Sequence, residues 1–216
     1  MNTPPLLSLS LKAEPSGASG ASGAAAGERA PSETIVALLE EARLVAWRPF
    51  PLLFLGATLS GNPPPTATWL KAARSAEALH FLFISEEPLR SGEGIAVLID
   101  PVGDGEGYYE IGLSSAGFLQ CAILRRSRSG LKRDARWTGD GVHAVLEAAS
   151  AAENGAAGET GSWSAVFSIP YRAIADHAPR PGEMWLINAQ RLHLQSGMPV
   201  RSLLERLPRF RWALFA

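Results

Sequence analysis

IAVLIDPVGDGEGYYEIGLSSAG, residues 95–117, decides the fold of this chain. An apolar run from Ile95 to Ile99 meets a cluster of Asp100, Pro101, Gly103, Asp104, Gly105 and Gly107. A second β-rich run follows from Tyr108 to Leu113. Two such runs around a Gly/Asp cluster predict an antiparallel hairpin. Every side chain of the first arm is apolar, which predicts a strand covered on both faces. In the second arm Tyr109, Ile111 and Leu113 share one face, and Tyr108, Glu110 and Gly112 the other. Glu110 is therefore a carboxylate carried mid-sheet, away from the apolar face.

Short strands with turn signals repeat on both sides of this hairpin. Upstream, Pro49 and Pro51 predict an extended edge segment over Phe50 to Leu55. Thr66 to Ala72 alternates, and ALHFLFIS at 78–85 is its hairpin partner. Downstream, Phe118 to Leu124 is a third arm of a meander, followed by a basic stretch from Arg125 to Arg136 that reads as solvated loop and strand edge. Val142 to Ala149 is ambiguous between strand and helix. Ser162 to Ile169 alternates up to Pro170, Tyr171 to Ala175 is a single turn, and Met184 to Leu194 places Trp185, Ile187 and Ala189 on one face. Phe210 to Phe215 is a closing strand. The sum is an all-β, antiparallel β-sandwich, jelly-roll-like, with one short helix near the N-terminus. That helix starts at Ser32 and aligns Ile35, Leu38, Leu39 and Ala42. Residues 1–32 contain PSGASGASGAAAG at 15–27, a Gly/Ala/Ser tract expected to be a flexible tether and an attachment point for a protein partner. The folded domain is expected over 33–216.

Composition excludes several classes. The chain has 216 residues, 46% of them hydrophobic, and a net charge of −1. That balance argues against nucleic acid as a partner. A single cysteine, Cys121, rules out an internal disulfide or a cysteine metal cluster. No run approaches the ~18 apolar residues of a membrane span. The opening MNTPPLLSLSLKAEP lacks a basic segment, so no secretion signal is read, and the sequence leaves the compartment open. The four histidines fall in no metal or triad spacing. A glycosidase needs two facing carboxylates, and only Glu110 is placed to serve, so no enzyme activity is expected.

The segments resemble family 9 carbohydrate-binding modules, within the wider DOMON-like β-sandwiches, over about residues 45–216. The resemblance is carried by Thr66 to Leu70 with LHFLFIS, by residues 95–117, by WSAVFSIPY at 163–171, by PGEMWLINAQR at 181–191 and by PRFRWALF at 208–215. It implies non-catalytic glycan recognition. Glu110, Asn188 and Arg191 match the family's polar positions. Ala96, Ser114, Ser115 and Val166 replace others, which implies a partly degenerate site. Sugar binding needs flat aromatic faces and planar polar groups. Trp69, Glu110, Trp185, Asn188 and Arg191 are the predicted ligand-binding residues, converging on one open concave face. No cofactor is expected, although Asp100 and Asp104, with Glu106, offer hard oxygen ligands suited to calcium. Two alternatives remain: a scaffold module without a ligand, or a haem-binding electron-transfer domain using Met184, Met198, His80 or His193.

Overall fold

The structure is a computed structural model. It describes residues 7–8, 10–12, 47, 50, 52–55, 67–148, 161–193 and 211–214. The elements are β1 (Leu7–Ser8), β2 (Ser10–Lys12), β3 (Leu53–Phe54), β4 (Trp69–Arg74), β5 (Ala78–Ser85), β6 (Glu93–Asp100) and β7 (Gly107–Ser114). They continue with β8 (Leu119–Ser127), β9 (Gly130–Asp134), β10 (His143–Ala148), β11 (Trp163–Pro170), α1 (Tyr171–Ile174), β12 (Met184–His193) and β13 (Arg211–Leu214).

These strands form two antiparallel sheets. One runs β1-β4-β5-β11-β10, with β3 added on β4, and the other runs β2-β13-β12-β6-β7-β8-β9. Their facing sides close on one core. Leu70, Phe81, Phe83 and Phe167 come from the first sheet, and Ile95, Val97, Ile99, Ile111 and Trp185 from the second. The fold is thus the all-β sandwich that the alternation predicts.

The β6–β7 hairpin pairs Ile95 with Leu113 and Ile99 with Tyr109. Every residue of β6 is buried, as its continuous apolar run requires. Tyr109, Ile111 and Leu113 face the core, as their parity predicts. The hairpin loop is shaped by Asp100, whose side chain is fully buried. Its Oδ1 accepts the amides of Val102 at 3.0 Å and Gly103 at 2.8 Å, and Oδ2 accepts that of Gly105 at 2.8 Å. Gly103 and Gly105 supply the positive φ this wrap demands, 76° and 72°.

The basic stretch carries an exposed edge strand, as expected, and it closes a second hairpin, since β9 pairs along β8 through Arg125 with Lys132 and Leu124 with Arg133. The ambiguous segment is strand over 143–148, where β10 pairs with β11 along its length. Two short strands, β1 and β2, fall inside the region expected to be a tail and pair with β4 and β13. The Gly/Ala/Ser tract and the N-terminal helix lie outside the described residues.

Candidate functional site

The five predicted contacts do not converge. Trp69 lies on the outward side of β4 and is 2% exposed. Trp47, Phe50 and Leu52 pack over that side as an added layer, which is why the ring is closed off. Neighbouring Lys71 is caught under the same layer. Its Nζ donates to the Trp47 carbonyl at 2.8 Å, and burial lowers its amine pKa.

Arg191 points into the sandwich at the end where β5 passes to β6. Its Nη2 donates to Glu93 Oε2 at 2.9 Å and to the Pro88 carbonyl at 3.0 Å. Its Nη1 reaches Ser85 Oγ at 3.1 Å and Thr68 Oγ1 at 3.4 Å, and the guanidinium lies 5.5 Å from the Trp163 ring centre. Glu110 projects from the opposite face of the same sheet, so the two cannot pair. Its Oε1 accepts from Arg133 Nη2 at 3.1 Å, beside Leu98, Tyr108 and Ala122. Asn188 shares that outward face, one strand away, because both residues register with Leu98. Burial, with Glu110 contributing, pushes the Tyr108 phenol up to about 12. Burial also pushes the Cys121 thiol up to about 11, against the pull of Arg133 and with the help of Glu110. Such a thiol is a poor nucleophile.

The two turn aspartates likewise stand apart. Asp100 is enclosed by loop amides, and Asp104 Oδ1 accepts the Glu106 amide at 2.8 Å. Among the described residues no three His, Cys, Asp or Glu side chains gather as metal ligands would. Of the haem candidates, His80 lies on β5 with its Nε2 3.2 Å from Ser75 Oγ, while Met184 and His193 occupy opposite ends of β12. Met198 lies outside the described residues. No helix among them is long and apolar enough to cross a membrane.

The open concavity is elsewhere, at the end of the sandwich where β6 turns into β7 and β11 runs through α1 into β12. A groove of about 600 Å³ lies there, within the usual range of ligand sites. Tyr109 and Ile123 come from neighbouring strands, Asp104 and Glu106 from the hairpin loop, and Asp176 and Glu183 from the α1–β12 connection. Arg126 lies 3.8 Å from Glu106 across the lip. Trp185 backs this groove, but its ring is fully buried, edge-on to Tyr171 at 6.0 Å. Its Nε1 donates to Glu183 Oε1 at 2.8 Å. Burial would raise the Glu183 pKa, but the Arg180 amide, the Trp185 indole and the nearby His177 and Arg180 charges together lower it.

A second hollow of about 290 Å³ is lined by Trp137, Thr138, Asp140, Arg172 and Ala173. Trp137 of this hollow meets Tyr109 of the groove, with ring centres 4.8 Å apart at 64°. Both rings are half-buried. Phe118 is also open, 70% exposed on the β7–β8 turn, and lines neither hollow. The loop bearing Trp137 is pinned where Gly139, at φ +68°, lies against Cys121. The sequence reading missed Trp137. The signal available was a tryptophan beside a Gly-Asp-Gly turn, held by backbone that only glycine adopts readily.

No protein-family model matches the chain. No curated protein matches it either. Among solved structures it is similar to a family 9 carbohydrate-binding module from Caldicellulosiruptor kristjanssonii in complex with cellotriose, at 13% identity, TM-score 0.45, covering 78% of this chain and 74% of that one. The same module in complex with glucose aligns at 14% identity, TM-score 0.45, with 78% and 76% covered. A "putative carbohydrate-binding protein" from Bacteroides uniformis aligns at 17% identity, TM-score 0.48, with 97% and 91% covered.

Proposed function

We propose that this protein recognises a carbohydrate without cleaving it, through the end of the sandwich built around Tyr109 and Trp137. The observation that carries the reading is the half-open aromatic pair, one ring in each of two hollows. A ring face accepts the C–H side of a pyranose, and the surrounding carboxylates and guanidinium groups are planar partners for its hydroxyls. The predicted site moves accordingly. Trp185 contributes from behind the groove, Glu110 and Asn188 belong to the outward sheet face, and Trp69 and Arg191 support the scaffold.

Glu183 is not tuned as a glycosidase acid. A glycosidase acid must hold its proton near neutral pH, whereas the environment of Glu183 holds it ionised. A glycan array probed with the full chain and with Trp137→Ala tests the proposal. Binding to at least one glycan class is expected, with the signal lost in the variant. No signal on any class, or an undiminished signal in Trp137→Ala, overturns it.

A further inference from the structure

We infer, resting on the carbohydrate reading, that the two hollows are adjoining subsites and that the ligand is an oligosaccharide gripped across the Tyr109/Trp137 pair. Tyr109, which lines the groove, touches Trp137, which lines the smaller hollow, edge to face. Ala173 lines one hollow and Ile174, the next residue, lines the other. Each side also has its own polar set. The groove offers Asp104, Glu106 and Arg126, partly tied together by the Glu106–Arg126 contact. The smaller hollow offers Asp140 and Arg172. Asp140 Oδ1 accepts from Thr138 Oγ1 at 2.6 Å, which orients the carboxylate and leaves Oδ2 for a ligand hydroxyl. Arg172 is exposed and makes no ion pair among the described residues, and it lies over Gly141, where no side chain intervenes.

A single sugar ring fills one side and leaves the other set of polar groups to water. A chain of two or more rings engages both, and the second contact forms at high effective concentration once the first is made. Binding therefore rises with chain length.

The test uses an array printing each linkage as mono-, di-, tri- and tetrasaccharide, with the full-length protein and Arg172→Ala. Arg172 is a surface residue, and a thermal melt confirms that the variant is folded. The trisaccharide is expected to bind at least about tenfold more tightly than the monosaccharide. Arg172→Ala lowers trisaccharide affinity about tenfold, the worth of one charge-assisted hydrogen bond, and shrinks the gain from monosaccharide to trisaccharide. Equal binding at all lengths, or an Arg172→Ala protein indistinguishable from the parent on trisaccharide, overturns the paired subsites while leaving carbohydrate recognition standing. Absence of binding to any member overturns both.

Discussion

Arg191→Met separates a structural arginine from a sugar-binding one. The guanidinium is 5% exposed and its partner Glu93 is 9% exposed, so both charges are out of water. Methionine keeps the length of the stem and removes the charge and the donors to Thr68, Ser85, Pro88 and Glu93. The Glu93 carboxylate then keeps the Arg90 amide bond at 2.9 Å and loses the Arg191 guanidinium. Breaking a buried ion pair from one side costs about 3–5 kcal/mol. For a chain of this size each kcal/mol moves Tm by about 2–4 °C, so the melt is expected to fall by about 6–20 °C. Adding Glu93→Gln in the same chain removes the carboxylate that Arg191 paired with and recovers part of the loss, with a coupling energy of about 2 kcal/mol in the double-mutant cycle. Calorimetry or circular dichroism reads both. A variant that melts within about 2 °C of the parent but no longer binds glycan would refute the reasoning and put Arg191 at the ligand.

Other perturbations read other parts of the fold. Gly139→Ala forces an L side chain into positive φ and sets its Cβ 2.5 Å from Cys121 Sγ, so a loss of about 2 kcal/mol is expected with weaker glycan binding. Cys121→Ala in the same chain recovers part of it in a urea melt, and no recovery would place the strain elsewhere. Burial lowers the His80 pKa below its ordinary 6.5, so the unfolded chain binds the proton more readily than the folded one. The stability this contributes is present above pH 6.5 and is lost as pH falls from there through the lower pKa of the folded state. Tm measured at successive pH values should drop less steeply in His80→Gln, and identical slopes would count against it. Because Asp100 is already saturated by three amides, chelation of calcium with EGTA is expected to leave Tm unchanged, and a clear drop would assign that loop to a metal.

The strand plan was legible because parity and turn chemistry are local. Residues 78–85 read as a strand from an apolar run one short turn after an alternating segment, residues 162–169 from alternation, and the Asp/Gly cluster after Ile99 located the hairpin. The site was less legible because it depends on which face each side chain takes and on what covers that face. Parity already held part of the answer. Arg191 shares the face of Trp185, Ile187 and Ala189, so it points inward with them, while Asn188 points outward with Glu110. The burial of Trp69 had no local cue, since it follows from the packing of residues 47–52 over β4. The meeting of Tyr109 with Trp137 had none either. It requires the β9–β10 loop to fold over the inward face of β7 and β8, and Gly139 against Cys121 is what holds it there.

Intrinsic tryptophan fluorescence is the most direct probe of the aromatic platform. Of the tryptophans among the described residues whose burial is known, Trp47, Trp69, Trp163 and Trp185 are buried and Trp137 is partly open. Titration with an array-positive trisaccharide is expected to shift or quench the emission, and the response should vanish in Trp137→Phe while persisting in Trp69→Phe. A response that survives Trp137→Phe, or that disappears in Trp69→Phe, contradicts the placement of the site.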